Sequence, residues 1–293
     1  MTPQVLVSLL MSAVGSAAGA FAVEQARVLS VSPSPAFWVA VTLYAASAAC
    51  FLLVASGRLQ LRALALGLCA AAALAHAVDI GWRGTMRVHP AQSVREALGF
   101  LAFMLAAGYL LASLRYRLSL AGVVLMPLVL GLLLVARLTP AGEDSLGLTA
   151  LGRVHISLAT IGVATFALAS ALSVIYLMED RTLKKKRFDT VSFREKGAPL
   201  EALDRTMHRL VWFGFPVFTA ALILGLVWGS ERGAGWDRPE YPLAFVTWGA
   251  FASLLVTRTA YGWRGRRSAW LTLLGFAAAL LVLLVYLARR VGS

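Results

Sequence analysis

Charge is scarce in this sequence. Asp, Glu, Lys and Arg together make 14% of its 293 residues and apolar side chains 59%, against about 25% and about 45–50% in an ordinary soluble domain. That balance excludes a water-soluble globule. It also excludes a disordered chain, which needs low hydrophobicity. Cysteine is nearly missing too: Cys50 and Cys69 both lie inside apolar runs and are not spaced as CxxC. They read as small buried hydrophobes, which excludes thiol–disulfide chemistry on the chain itself. No Walker or Rossmann glycine motif and no zinc-ligand spacing occurs in the sequence, and no nucleophile–base pair shows itself. Self-contained catalysis is not expected, so the chain reads as a non-enzyme.

What the sequence has instead is long apolar runs. A transmembrane helix needs roughly 20 apolar residues to cross a hydrocarbon core of about 30 Å. Nine stretches qualify: Val5–Val23, Phe37–Ala55, Leu61–Ile80, Leu98–Leu114, Leu118–Ala136, His155–Leu177, Leu210–Trp228, Leu243–Val256 and Trp270–Leu287. The eighth is short before Arg258, which could snorkel to extend it. The first lacks a basic leader and is rich in Ala and Gly through Gly19, so it reads either as a helix or as a signal-like segment. The expected fold is therefore all-α: a polytopic integral membrane helical bundle of eight transmembrane helices plus an uncertain N-terminal ninth. Residues 1–35 form the N-terminal segment and outer loop, and 36–293 the membrane domain.

The few charges are mostly basic, 27 Lys and Arg against 14 Asp and Glu, a net +13. Their placement sets orientation. If Phe37–Ala55 runs from outside to inside and the rest alternate, the cytoplasmic loops hold 17 basic and six acidic residues, a net +11. The outer loops and tail keep ten basic and eight acidic, a net +2. The positive-inside rule selects this arrangement. The longest stretch between runs, Glu179–Arg209, contains Lys184, Lys185, Lys186 and Arg187 and reads as a cytoplasmic loop of some thirty residues that attracts anionic lipid. Nucleic-acid binding is not expected, because no folded basic domain or interleaved aromatic pattern accompanies the charge. The bilayer is the partner this charge addresses.

Polar side chains inside apolar runs carry the functional signal. Of four histidines, His76, His89 and His155 fall at the outer ends of their segments, and His208 at an inner end. His76 shares a helix face with Asp79, three residues on. Imidazole is the usual protein ligand of haem iron, and its second nitrogen often donates to an oxygen acceptor. Arg83, Arg87 and Arg153 lie in the same outer layer and suit the two propionates of haem. On spacing alone, haem ligation, ordinary interfacial histidines, a zinc site and a proton relay all remain open. The outer loop Gly229–Pro242 is rich in Trp and charge, and Trp236 beside Asp237 could form a belt anchor or a platform for a flat cofactor.

The segments LDRTMHRLVWFGFPVFTAALILGLVWG (Leu203–Gly229), WDRPE (Trp236–Glu240), YGWRGRRSAWLTLLGFAAALLV (Tyr261–Val282), HISLATIGVATFALASALSVIYL (His155–Leu177) and HPAQSVREALGFLAF (His89–Phe103) together resemble the cytochrome c assembly protein family. That family includes CcsA-type cytochrome c biogenesis proteins and their HemX-like relatives. The resemblance covers about residues 76–285. It implies haem handling at the outer face of an energy-transducing membrane, for attachment to apocytochrome c. By that resemblance His76 and His155 are haem-iron ligands, with His89 the alternative, and Trp228, Trp236 and Asp237 belong to the tryptophan-rich outer loop. The implied cofactor is haem (heme b). The implied setting is the bacterial inner (cytoplasmic) membrane, beside a partner carrying the periplasmic domain of the assembly machinery.

Two departures from the family pattern are visible. The loop runs Trp236-Asp237-Arg238-Pro239-Glu240 where the family has Trp-Asp-Pro-Lys-Glu, and no histidine follows His208, so Val256 or Thr257 stands where full members carry one. Both departures point toward the HemX-like branch. The alternative function is then a HemX-like membrane regulator of haem and tetrapyrrole biosynthesis that does not itself carry haem. A transporter and a structural subunit of a respiratory assembly are further rivals, the first weakened by the scarcity of midplane polar residues.

Overall fold

A computed structural model describes residues 34–86, 88–116, 118–139, 149–185, 199–231 and 238–291. Eight helices in it are long and apolar enough to cross a membrane. They are α1 (Pro35–Ala55), α2 (Arg62–Thr85), α3 (Val94–Arg115), α4 (Ser119–Leu138), α5 (Ala150–Lys184), α6 (Leu200–Glu231), α7 (Glu240–Ala260) and α8 (Arg266–Val291), with one 3₁₀ turn at Leu59–Leu61 between the first two. The protein is a polytopic membrane helical bundle. The first apolar run, Val5–Val23, lies outside the described residues.

The helices pack as two linked groups. In the first, α1 lies against α2 and α4, and α3 lies against α4 and α2; in the second, α5 lies along α6 and α8, and α7 along α8. Contacts of α5 with α3 and α4 join the two. Outer and inner below refer to the orientation set by the charge distribution. Three helices that begin at the outer end are capped there: Ser34, Ser93 and Thr149 accept hydrogen bonds from the N–H groups of Phe37 (3.1 Å), Glu96 (3.3 Å) and Gly152 (3.3 Å). Each cap satisfies a backbone donor that has no partner in the first turn.

Close packing of α5 on α6 comes from small residues. The buried face of α5 includes Gly152, Gly162, Ala164, Ala169, Ser170 and Ser173. A Cβ on Gly162 would stand 3.3 Å from the Phe218 backbone, and one on Gly214 would collide with Thr165. In lipid, where apolar burial does not drive helix association, such close backbone approach supplies the dispersion contacts that do.

Both helices outrun the membrane. At 1.5 Å per residue, the 35 residues of α5 span about 52 Å, well beyond a core of about 30 Å. The expected thirty-residue loop Glu179–Arg209 is thereby corrected: α5 continues through Lys184 and α6 begins at Leu200. Ion pairs one turn apart, Lys184–Asp180 (2.8 Å) and Arg205–Glu201 (2.6 Å), accompany the extensions. His155 is also not the helix start expected of it, because five residues of α5 precede it behind the Thr149 cap.

At the inner end Arg258 does not snorkel. It forms a two-pronged pair with Asp204 of α6, at 2.7 and 3.1 Å, with the two side chains 10% and 11% exposed. Asp204 also accepts the Gly265 N–H at 2.9 Å, in a turn where Gly265 takes φ +67°. One carboxylate thus ties α6, α7 and the turn into α8. Asp204→Ala should lower stability in detergent by about 3 kcal/mol or more, since it leaves a nearly buried guanidinium unpaired. Thermal unfolding measures this, and an unchanged midpoint would show the pair to be idle. Topology is testable too. A cysteine placed at Ser192 should resist a membrane-impermeant thiol reagent in intact cells, and one placed at Gly142 should react.

Candidate functional site

At the outer end of the first group, three helices meet on one arginine. Arg83, in the last turn of α2, donates through Nε to Asp79 Oδ2 (3.1 Å) and through a terminal nitrogen to Glu96 Oε1 (2.7 Å) on α3. Asp79 takes a further hydrogen bond, 2.6 Å, from the hydroxyl of Ser34. Ser34 is the cap of α1 and Glu96 is the third residue of α3, behind its own cap Ser93. In a capping box the glutamate would fold back onto the cap. Here it reaches across to the neighbouring helix instead.

His76 lies one turn below this network, 2% exposed. Its ring meets Tyr44 of α1 and Phe103 of α3 edge-on, with centroids 6.0 and 5.7 Å away. Its Nδ1 is buried without a hydrogen-bond partner, as is the Tyr44 hydroxyl. Orphaned polar atoms are rare in protein interiors, and in a membrane they mark functional positions. An open cleft leads to the imidazole, bordered by Phe37, Phe100, Arg95 and Arg137, with only about 30 Å³ of free volume. That is room for about two water molecules.

His155 belongs to the second group. Its Nδ1 lies 2.7 Å from the carbonyl oxygen of Ala221 on α6. A carbonyl can only accept, so Nδ1 carries the proton and Nε2 keeps its lone pair. The ring rests on Gly225, where a Cβ would approach it to 2.6 Å, and lies 5.9 Å from the Trp228 indole at a 33° tilt. That indole in turn covers Gly152, where a Cβ would come within 2.8 Å. Gly152 on α5 and Gly225 on α6 therefore make room for one indole and one imidazole.

The structure does not bring His76 and His155 onto common partners: one is held among α1, α2 and α3, the other between α5 and α6. His89 is exposed in the turn before α3, where its Nδ1 accepts the Ala91 N–H at 3.0 Å. That bond leaves its proton on Nε2, the nitrogen a metal would approach. Arg83 is committed to two carboxylates, while Arg153 is exposed on the first turn of α5. Arg87, Trp236 and Asp237 lie outside the described residues. Sequence reasoning passed over Glu96, Ser34, Gly152 and Gly225. The Ser93-x-x-Glu96 spacing signals a helix start but not the partner Glu96 finds on α2, and the glycines carry no signal without knowing which helices pair.

A family model described as "Cytochrome C assembly protein" matches residues 90–291. The match takes in Arg153 and His155 and starts just after His89. A cytochrome c biogenesis protein CcsA of Synechococcus elongatus is 30% identical over 236 residues, covering 64% of this chain and 72% of that protein. A CcsA of Guillardia theta is 32% identical over 139 residues, 42% of this chain and 46% of that one. Among solved structures, cytochrome c heme lyase CcmF superposes with a TM-score of 0.64 at 19% identity, over 88% of this chain and 47% of the lyase. The chain thus spans about half the length of that structural relative and adopts the same helical fold. On the strength of a family match over most of its length, the chain belongs to the cytochrome c assembly protein family.

Proposed function

We propose that this protein handles haem for cytochrome c assembly at the outer face of a bacterial inner membrane. The carrying observation is the His155–Ala221 hydrogen bond. Axial histidines characteristically donate one ring N–H to an oxygen acceptor, which fixes the tautomer and points the other nitrogen at the metal. His155 has that arrangement, beside an indole that can cover a flat ring. Family membership and the names of the relatives, biogenesis protein and heme lyase, supply the substrate class. Haem iron, when bound, takes imidazole nitrogens as axial ligands. The chain's own part is to hold and orient: His155 as ligand, Trp228 and Trp236 with Asp237 as platform, Arg153 and Arg87 toward the propionates.

The fit differs at the second histidine. His76 offers an unpartnered nitrogen, but ligand pockets usually enclose about 300–1,000 Å³ and the cleft beside it about 30 Å³. Its use as a ligand therefore requires the outer ends of α2 and α3 to part, and Arg83 is unavailable to a propionate while Asp79 and Glu96 hold it. Delivery to apocytochrome c, with a partner that carries the periplasmic domain, completes the proposed role. No bond-making step is assigned to this chain.

The test is a visible spectrum of the protein in mild detergent, before and after titration with haem. A Soret band with sharp reduced bands is expected, with retained haem at least tenfold lower in His155→Ala. Gly225→Val should lower it similarly with His155 still present, because the added side chain displaces the ring. A preparation that stays colourless after titration would sink the proposal. A deletion strain with normal c-type cytochromes and altered haem precursors would favour the HemX-like regulator instead.

A further inference from the structure

The outer cleft has more positive charge than its carboxylates neutralise. Arg83, Arg95 and Arg137 all line it, against Asp79 and Glu96; both carboxylates accept hydrogen bonds from Arg83, and Asp79 one more from Ser34, while Glu96 also attracts the Arg95 charge without bonding it. Arg95, in the first turn of α3, donates through Nε to the Thr139 carbonyl at 2.8 Å, and its two terminal nitrogens make no hydrogen bond with the described residues. Arg137, in the last turn of α4, makes no hydrogen bond or ion pair with the described residues, yet stands close enough to repel the Arg95 charge. Both residues are half-buried.

Orientation does not account for this pair. The positive-inside rule disfavours arginine on the outer side, so these two are not topological markers. Two like charges held together at a low-dielectric boundary repel each other and lose hydration. An anion between them removes both costs. Planar guanidinium forks suit an oxyanion with several acceptor oxygens. The surroundings are amphiphilic as well: Leu134, one turn before Arg137, and Leu138, next to it, are 42% and 83% exposed on the face α4 turns outward. An independent feature also marks the cleft as built for a ligand, the unpartnered Nδ1 of His76 on its floor.

We propose that Arg95 and Arg137 form a seat for a phosphate oxyanion, supplied by an anionic phospholipid of the outer leaflet whose acyl chain lies along Leu134 and Leu138. The seat bridges the start of α3 and the end of α4, so its occupant clamps the mouth of the cleft. It does not depend on haem being bound.

Delipidated protein in nonionic detergent, followed by thermal unfolding and native mass spectrometry, tests this. The probes are phosphatidylglycerol, phosphatidylcholine and inorganic phosphate. Phosphatidylglycerol should raise the unfolding midpoint saturably and stay bound at one molecule per chain. Its apparent affinity should fall at least tenfold in Arg137→Gln and in Arg95→Gln, and largely survive in Arg137→Lys, which keeps the charge if the Gln variant fails to fold. Inorganic phosphate giving the same arginine-dependent rise alone would support the seat and assign it to a free anion. A rise equal for both lipids and indifferent to the arginines, or no rise with any probe, would overturn the proposal. Haem retained by Arg137→Gln should equal the wild-type amount, which separates this result from the fate of the haem reading.

Discussion

Arg83 carries its charge at the edge of a low-dielectric slab because two carboxylates on two helices converge on it, Asp79 from its own helix and Glu96 from the next. Much of the outer architecture follows from that meeting. Asp79 draws in Ser34, so the cap of α1 is oriented by the same charge that neutralises Arg83. Glu96 is pulled across from its capping position, which sets where α3 begins relative to α2. With Arg83 and Glu96 side chains only 12% and 15% exposed, losing one member would leave a nearly buried charge uncompensated, a cost of about 3–5 kcal/mol. A helix cap alone is worth about 1 kcal/mol. The ion network therefore outweighs the caps it organises. It holds three helix ends around His76.

The two ends of the bundle use one device for different ends. On the inner side Asp204 accepts both prongs of Arg258 and the Gly265 N–H, with Arg264 also near it, and the pair ties three elements together. On the outer side the carboxylates run out before the arginines do, and a buried imidazole nitrogen goes unpaired. Closed networks stabilise, whereas incomplete ones are where a ligand gains free energy by completing them. The α5–α6 interface sits between these extremes. Its small residues bring two backbones close enough that His155 can reach the Ala221 carbonyl, and Gly225 and Gly152 leave the space its ring and Trp228 fill.

Fold class was legible because hydrocarbon thickness dictates run length: eight apolar stretches became eight helices. Their true ends were less so. The charged residues after Leu177 and before Leu210 look like a loop by hydropathy, but helix propensity and pairs such as Lys184–Asp180 carry α5 and α6 onward. The Asp79–Arg83 contact was within reach of the one-turn spacing rule. Glu96 as third member was not, since it depends on how α3 packs beside α2. That His76 and His155 sit in different helix groups was likewise hidden. In a membrane, helix pairing follows which small-residue faces fit together, and apolar periodicity is silent on that.

If this protein handles haem as proposed, its work is done in its thin outer layer, with His155 as the histidine that meets iron. A cryo-electron microscopy map of the protein purified with haem addresses this most directly. The expected map has porphyrin density at the outer end of α5 and α6, its metal at the Nε2 of His155 and its plane against Trp228. Haem density at the inner end, beside His208, or nowhere within reach of His155, would contradict it.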